Sequence, residues 1–407
     1  EGEGQVVILG GEPGIGKSRL GQALRERVER EANPCAQYHC SPYHTNSALY
    51  PFIRQLELAA GFGRDDSEPT KLEKLEATVD EAAGEVSAVA PLLARMLSID
   101  TGDRYGSLDV PRRKAKQLTL EALINHIVTP VNGQAAVIIF EDAHWVDPTS
   151  QEVLDQLTTR IADQRLLLLI THRPEYDPGW SALGHLTALM LTRLGRREAA
   201  AMVTGTATGR PLAPAVRDEI VARADGVPLF VEELTRTVIE SDILQGTDDG
   251  DAPGRSISEL SIPSTLRGSL MARLDRLGTA KTVAQIGACI GREFSHELVA
   301  AVSPFGADEL DELLVRLTAS GLVLRSGVPP EAVYVFRHAL VQNAAYDSVL
   351  RRNRQKLHAA IAATLEEKFA SVAELEPDTI AGHFFKGGDW AKALAYYRQA
   401  AESATRA

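Results

Sequence analysis

Short apolar runs alternate with amphipathic stretches along the first half of the chain. Three runs of apolar residues occupy positions 6–9, 135–140 and 166–170. Uninterrupted runs of this length are typical of strands in a parallel sheet that is covered on both faces. After the first run, apolar residues recur at helical spacing, at Leu20, Leu24 and Val28. We therefore expect residues 1–190 to form an α/β core with a parallel sheet.

The remaining pattern is mostly helical and divides into several segments. Within the core, residues 43–123 or thereabouts predict a helical insertion, and residues 191–245 predict a small helical lid. Residues 246–261 are polar and rich in turn formers, as in a flexible linker. Helices followed by two short β-rich runs in residues 262–350 favour a winged-helix domain. Residues 351–407 predict an all-helical segment.

The composition and charge limit which macromolecules and membranes the chain could bind. The 407 residues are 44% hydrophobic and 24% charged, which is typical of a globular protein of two or three domains. A net charge of −12 repels phosphate backbones and anionic lipid, and no apolar run approaches the roughly 20 residues that span a bilayer. Three cysteines cannot form a disulfide framework, so we expect a cytoplasmic protein. The chain starts without Met and stops in a helical pattern, which predicts a piece of a longer protein.

A glycine-rich loop with a phosphate-binding signature follows the first apolar run. Residues 11–18 match G-x-x-x-x-G-K-S between a predicted strand and a predicted helix. Backbone N–H groups of such a loop surround the β-phosphate, Lys17 contacts the β- and γ-phosphates, and the Ser18 hydroxyl ligates Mg²⁺. A Rossmann fingerprint is excluded because Arg19 stands where a glycine would be required. The predicted ligand is ATP or ADP with Mg²⁺, bound by Gly11, Glu12, Pro13, Gly14, Ile15, Gly16, Lys17, Ser18 and Arg19.

Two acidic residues, Glu141 and Asp142, end the second apolar run. Ligands bind at the carboxyl ends of strands in open α/β sheets, so this pair is expected beside the loop. In one assignment Glu141 holds the water shell of the Mg²⁺ that Ser18 ligates. Asp142 lies at the same metal site and orients the attacking water. In the other, Asp142 is the magnesium acid and no base stands behind it. The second assignment predicts nucleotide binding with almost no turnover.

Polar residues near the next strand ends offer two further candidates. His144 and Asp147 could form a catalytic pair, although a turn histidine and an Asp helix cap before Pro148 is the simpler interpretation. Arg173 follows the third apolar run, where an arginine would face the γ-phosphate and act with Glu141 and Asp142 in catalysis. A surface arginine without a ligand is the alternative.

Four motifs in order resemble the STAND class of AAA-related ATPases. They lie at residues 11–18, 139–148, 171–175 and 225–230. The resemblance is closest to the ATPase modules that follow class III adenylate/guanylate cyclase domains in bacteria and to LuxR-type large ATP-binding regulators. It implies that Arg173 is a sensor and that Gly226 and Pro228 of the lid contact the adenine. Glu141 stands where aspartate is common, which bears on the hydrolysis rate rather than on the fold.

The same resemblance extends to the second half of the chain. In STAND switches the winged helix folds back on bound ADP, which implies His338 as a contact to the β-phosphate. A helix-capping or core histidine is the alternative. Residues 388–400 resemble the opening of a tetratricopeptide (TPR) repeat, which implies an array beyond Ala407 that senses a protein or small-molecule inducer. An ordinary terminal helix hairpin is the alternative.

Direct DNA contact by this chain is not expected. The predicted helix before the β-rich runs carries only Arg316 against four acidic residues, Asp308, Glu309, Asp311 and Glu312. Phosphates would repel such a face in the place of a recognition helix.

The sequence as a whole predicts an ATP/ADP-binding signal-transduction switch with slow ATP hydrolysis. It would regulate flanking output domains such as a nucleotide cyclase. Residues 1–407 do not contain the catalytic residues of a cyclase. One alternative is an ATP-dependent transcription regulator whose DNA-binding domain lies outside this fragment. Another is an ordinary oligomeric AAA ATPase, which would need an arginine finger from a neighbouring subunit. ATP-dependent oligomerisation is also compatible with the switch.

Overall fold

The apolar runs form strands of a five-stranded parallel sheet. The strands are β1 (Gln5–Gly10), β2 (Cys35–His39), β3 (Ala136–Glu141), β4 (Leu166–His172) and β5 (Leu186–Met190). Their order is β2-β3-β4-β1-β5, and every neighbouring pair is parallel. Strand β4 therefore lies between the acidic strand β3 and strand β1, which leads into the glycine-rich loop. The predicted parallel α/β fold is confirmed.

The computed structural model describes most of the chain. The described residues are 2–42, 44–63, 66–81, 86–106, 111–128, 134–208, 211–244, 265–369 and 377–406. The predicted linker at 246–261 and Tyr43, at the start of the predicted insertion, lie outside them.

Helices cover both faces of the sheet. Helix α1 (Lys17–Arg30) covers one face, where Leu9, Ile139 and Leu169 pack with Leu24. Four helices lie between β2 and β3 in the part of the chain that is described: α2 (Tyr50–Ala59), α3 (Glu68–Glu81), α4 (Val86–Met96) and α5 (Arg112–Val128). Helix α6 (Pro148–Arg160) connects β3 to β4. These helices bury the larger apolar cluster against the opposite face.

Three helices follow the sheet in the segment predicted as a lid. They are α7 (Arg196–Thr206), α8 (Pro214–Ala224) and α9 (Pro228–Leu244). They pack around their own small apolar cluster, which includes Val203, Ile220 and Leu234. We call residues 194–244 the lid.

Residues 265–349 form a second mixed unit, which we call the hairpin unit. Its helices are α10 (Leu266–Arg276), α11 (Ala280–Ile290), α12 (His296–Val302), α13 (Ala307–Ala319) and α14 (Ala339–Ser348). Its strands β6 (Glu293–Ser295), β7 (Val323–Ser326) and β8 (Val333–Phe336) form an antiparallel sheet in the order β6-β8-β7. The helices and the β7–β8 hairpin have the order expected from the sequence, and β6 was not expected. Phe294, Tyr334 and Phe336 fill the core.

In the C-terminal segment, the described residues form three helices. They are α15 (Arg351–Lys368), α16 (Pro377–Gly387) and α17 (Trp390–Arg406). Their shared core includes Ile361 and Phe384, together with Cys289 and Leu298 of the hairpin unit. None of the described helices is long and apolar enough to cross a membrane.

Candidate functional site

The glycine-rich loop joins the end of β1 to the start of α1, as its signature requires. Gly14 and Gly16 have φ angles of 81° and 106°, a region that favours glycine. A Cβ on Gly16 would meet nothing within 4 Å, so its side of the loop is open. The Lys17 ammonium donates to the carbonyl oxygens of Gly11, at 2.6 Å, and Glu12, at 3.1 Å. The loop thus gathers a cation and backbone N–H groups at one point.

The N-terminus of α1 suits an anion. Gly16 precedes the helix without a side-chain cap, so the first N–H groups are left for a ligand. Ser18 lies in this first turn and is exposed. The Arg19 side chain points to solvent and pairs with Glu26 at 3.7 Å. Arg19 can therefore contribute its backbone N–H rather than its guanidinium.

The two acidic residues at the end of β3 face different neighbours. Glu141 is 3% exposed, and its Oε1 accepts a hydrogen bond from Gln37 Nε2 at 2.7 Å. The same oxygen lies 3.8 Å from the position of a Cβ on Gly21, one helical turn after Ser18. Glu141 therefore lies on the Ser18 side of the site.

Asp142 lies on the Lys17 side. Its backbone has a φ of 59°, and its N–H donates to Thr171 Oγ1 at 3.1 Å. Burial raises the pKa of Asp142, and the charges of Arg292 and Lys17 oppose that shift. Burial lowers the pKa of Lys17, and Asp142 is the largest charge that opposes this. The charges of Asp142 and of the loop lysine thus act on each other across the site.

The residues present fit a magnesium ion. The Ser18 hydroxyl and the carboxylates of Glu141 and Asp142 form an all-oxygen donor set, which Mg²⁺ prefers. The buried Glu141 carboxylate lies beside Gly21 of α1, one turn further along the helix than Ser18. These three residues would hold the ion.

Arg173 follows β4 and is held by an aromatic ring. Its guanidinium carbon lies 4.9 Å from the centroid of the Trp145 ring, and Glu175 is 3.9 Å away. Because β4 lies between β1 and β3, Arg173 shares the sheet edge with the loop and the acidic pair. Trp145 was not among the candidates from the sequence, although an aromatic residue close to the acidic pair was the available signal.

The His144 ring packs at a tilt against the Trp145 ring. Its ring centroid is 4.3 Å from that of Trp145, and both ring nitrogens are buried without a hydrogen-bond partner. Burial and the charges of Arg173 and Lys17 lower the pKa of His144 to about 4. A neutral imidazole therefore faces the same region as Lys17 and Arg173.

Asp147 caps a helix instead of pairing with His144. Its Oδ1 accepts from the backbone N–H groups of Thr149 and Ser150, both at 3.0 Å, and from that of Leu49 at 3.3 Å. The His–Asp catalytic pair is therefore not formed, and the helix-cap interpretation agrees with the structure.

The lid touches the glycine-rich loop. Gly226 has a φ of 70°, and a Cβ there would lie 2.4 Å from the Leu194 carbonyl oxygen. Only glycine fits this turn. The next helix begins at Pro228, and Leu229 N–H donates to the Gly14 carbonyl at 3.2 Å. The proposed adenine residues Gly226 and Pro228 thus lie in the turn that contacts the loop.

One arginine, absent from the sequence-based candidates, bridges the loop and the lid. Arg193 lies 3.0 Å from Glu12 Oε2 and also pairs with Asp225, just before Gly226. Its charge was visible in the sequence, but nothing local indicated two partners so far apart along the chain.

His338 lies where the hairpin unit faces the lid. It precedes α14 but makes no side-chain cap, and its Nε2 is buried without a hydrogen bond. Burial lowers the pKa of His338, and the charges that act on it are those of Glu232, Arg337, Arg292 and Arg236. Helix capping by its side chain is therefore wrong. The predicted contact to a β-phosphate stays a prediction.

One family model and one curated protein match this chain. Residues 1–170 match the model of the AAA ATPase domain family. An uncharacterized protein of Rhizobium meliloti (strain 1021) is 29% identical over 393 residues, which are 95% of this chain and 37% of the relative. The chain thus spans little more than a third of the curated relative.

A solved structure shares the fold. A STAND (signal transduction ATPase with numerous domains) protein with a tetratricopeptide repeat sensor from Pyrococcus horikoshii has a TM-score of 0.51 and 12% identity. The match covers 99% of this chain and 55% of that one. A RuvB variant of Thermotoga maritima is less similar, with a TM-score of 0.35 and 14% identity over 85% of this chain and 88% of that chain.

Proposed function

We propose that this chain, which carries an AAA ATPase domain in residues 1–170 and has the fold of a STAND protein, is an ATP/ADP-operated signalling switch. The resemblance found in its motifs is confirmed for the domain family and the fold. The observation that carries the proposal is an unbroken series of contacts from the glycine-rich loop through the lid to the hairpin unit. Such a series gives a bound nucleotide a mechanical route to the second half of the chain.

The first link in that series is the bridge made by Arg193. A nucleotide that reorders the loop would change the position of Glu12, and Arg193 would transmit that change to Asp225 in the lid. The backbone bond from Leu229 to Gly14 acts in parallel, directly at the start of α9.

The second link is a buried ion pair between the lid and the hairpin unit. Arg273 of α10 and Glu233 of α9 are each 4% exposed and lie 2.5 Å apart. Arg273 also donates to the Ser320 carbonyl at 2.6 Å. Removing one partner of a buried pair typically costs about 3–5 kcal/mol, so the lid and the hairpin unit are expected to move together.

The site supports nucleotide binding with slow hydrolysis. The loop and the N-terminus of α1 would hold the phosphates. Ser18 and Glu141 would hold the metal ion, and Asp142 would contact its water shell. A magnesium ion, when bound, neutralises charge on the β- and γ-phosphates. Asp142 would orient the attacking water, and Arg173 would contact the γ-phosphate. The position of Glu141 beside Gly21, one turn after Ser18, favours this assignment over the alternative in which Asp142 is the metal acid.

The outputs of the switch are proposals about the whole protein. We infer that the hairpin unit is a winged-helix domain, that residues 377–406 open a TPR array, and that an inducer binds that array in the cytoplasm. A flanking nucleotide cyclase is the output that the motif resemblance favours. The STAND structure with a tetratricopeptide repeat sensor supports this organisation at the level of fold. An ATP-dependent oligomer would be compatible with it.

The experiment that tests the switch compares the chain with its Lys17→Ala variant. Bound nucleotide is extracted and identified by chromatography, and phosphate release is followed with added ATP and Mg²⁺. We expect retained nucleotide and turnover slower than about one per minute, with both lost in the variant; typical enzymes turn over at roughly 10 per second.

Turnover near that median would favour the oligomeric ATPase over the switch. Absence of nucleotide binding at any concentration would reject both.

A further inference from the structure

The hairpin unit reaches into the nucleotide site with one side chain. Arg292 Nη1 lies 3.5 Å from Asp142 Oδ2, and the two side chains are 29% and 16% exposed. Arg292 belongs to the connection between α11 and β6, far along the chain from the acidic pair. The carboxylate that faces the loop lysine is therefore already paired with a cation from another unit.

The backbone holds Arg292 in this position. Its carbonyl accepts from Phe336 N–H at 2.9 Å, and the preceding Gly291 N–H donates to the Gly287 carbonyl at 2.9 Å, which ends α11. Strand β6 begins at the next residue and pairs with β8. Arg292 thus extends from a rigid corner between a helix and a sheet.

The residue after Arg292 makes a second contact of opposite polarity. Glu293 Oε1 lies 3.3 Å from Arg54 Nη2 on α2 of the ATPase domain. Two neighbouring residues with opposite charges therefore meet two opposite charges on the ATPase domain. This alternation fixes the orientation of the hairpin unit, because a shifted register would bring like charges together.

Pairing with Arg292 changes what Asp142 can do. A guanidinium remains charged at any physiological pH and offers several N–H donors to a carboxylate. Arg292 lies against Asp142 Oδ2, so its charge offsets the negative charge that would attract a hydrated metal ion to this carboxylate. Arg292 and hydrated magnesium, both cations, would therefore compete for Asp142.

We infer that Arg292 is a residue of the nucleotide site, supplied by the hairpin unit, and that Asp142 holds either Arg292 or the hydrated magnesium of a bound nucleotide. The inference rests on the proposed nucleotide function. Because coupling between two binding events is reciprocal, magnesium–nucleotide binding releases the hairpin unit, and docking of the hairpin unit weakens magnesium–nucleotide binding. Nucleotide without magnesium does not compete with Arg292 and leaves the docking unchanged.

The test measures equilibrium binding of ATP with Mg²⁺ and with EDTA to the full chain and to Arg292→Ala. Couplings of this kind typically amount to about 5- to 150-fold. We expect Arg292→Ala to bind Mg²⁺–ATP at least about 5-fold more tightly and to bind ATP in EDTA within about 2-fold of the parent chain. The matched control is Arg352→Ala, which removes an exposed arginine of α15 and should change neither affinity.

Hydrogen exchange on the unaltered chain gives a readout that needs no variant. Mg²⁺–ATP should increase exchange in peptides that cover α2 and residues 291–295, and ATP in EDTA should not. If Arg292→Ala is misfolded by circular dichroism, Arg292→Gln replaces it.

Two results would overturn the inference. One is equal Mg²⁺–ATP affinity in the Arg292 and Arg352 variants, and the other is unchanged exchange on Mg²⁺–ATP binding. Either leaves the proposed function intact as long as Lys17→Ala abolishes binding. Failure of the proposed function has a different signature, namely no nucleotide binding by the parent chain with or without Mg²⁺.

Discussion

The Arg173 guanidinium is positioned by the face of Trp145. The distance of 4.9 Å to the ring centroid is in the range of a cation–π interaction, which contributes about 0.5–1 kcal/mol at partly exposed sites. His144 packs against the same ring. Trp145 is therefore a positioning residue: it restricts the arginine that would distinguish ATP from ADP.

We predict that Trp145→Ala reduces the preference for ATP over ADP. The loss of about 0.5–1 kcal/mol corresponds to roughly a two- to fivefold change in the ratio of the two dissociation constants. Titration of both nucleotides in the presence of Mg²⁺ measures it. Trp145→Phe keeps an aromatic face and should restore most of the ratio. A ratio that is unchanged in Trp145→Ala would show that the ring does not position Arg173.

Residues that act through neighbours in sequence were predictable, and those that act across the fold were not. The loop of residues 11–18 and the acidic pair were found because strand, loop and helix follow one another directly. Arg292 and Arg193 were missed because their partners lie far away along the chain and no local spacing indicates them. A charged residue on a polar surface looks the same whether or not it reaches a site.

At the scale of helices, a buried histidine pair joins α15 to α16. His358 Nδ1 lies 3.0 Å from His383 Nδ1, and His358 Nε2 lies 3.0 Å from the Tyr346 hydroxyl on α14. Both contacts are satisfied when the tyrosine donates to Nε2 and the His358 Nδ1–H donates to His383. This chain of hydrogen bonds requires both rings to be neutral.

Acid is expected to destabilise these helices. Burial, together with nearby Lys386, lowers the pKa of His358 to about 4, and burial and His358 lower the pKa of His383 to about 3. The unfolded chain takes up these protons near the ordinary histidine pKa of about 6.5. Unfolding therefore takes up protons between about pH 6.5 and about pH 4 or below. The free energy of unfolding decreases as the pH is lowered through this window, and the pair does not change it above the window.

We predict that the Tm of His383→Leu decreases less than the Tm of the parent chain when the pH is lowered from 7 to 5. Calorimetry of the parent chain, His383→Leu and His185→Gln over this range measures the slopes. His185 bonds to the Thr158 carbonyl in the ATPase domain and is not part of the histidine pair, so His185→Gln is the comparison variant. Equal slopes for all three proteins would contradict a role for the pair.

Strands and helices with a long run or clear period of apolar residues were predicted well. Short strands and the ends of helices were not. The apolar runs became β1, β3 and β4 because buried parallel strands need no alternation. The short strand β6 was missed, since three residues carry no period and depend on pairing with β8. Leu20 was expected on the buried face of α1, but it is 48% exposed in the first turn of the helix, beside the loop.

At the scale of the whole molecule, the ATPase domain and the hairpin unit have separate apolar cores. Among the described residues, the main buried cluster of the ATPase domain draws on residues 6–186 and that of the hairpin unit on residues 266–346. The polar contacts between them include Arg292 with Asp142 and Arg54 with Glu293. The sequence could predict each core from its own periodicity but not the ion pairs that join them.

A third polar contact ties the C-terminal segment to the ATPase domain. Asp378 at the start of α16 accepts a hydrogen bond from Ser47 and lies 3.9 Å from His44 Nδ1. His44 itself stacks on Tyr50 of α2. The hairpin unit and the C-terminal segment share an apolar cluster, so the two are expected to leave the ATPase domain together.

We predict that salt opens the molecule before it unfolds any part of it. Partly exposed ion pairs weaken as the screening length falls from about 10 Å at 0.1 M to about 3 Å at 1 M salt, whereas apolar cores do not. Small-angle scattering between these salt concentrations should show a larger radius of gyration at constant helix content, and Arg54→Ala should open at lower salt than the parent chain. A radius that stays constant up to the salt concentration at which helix content falls would mean that apolar packing, rather than the three polar contacts, holds the ATPase domain to the rest.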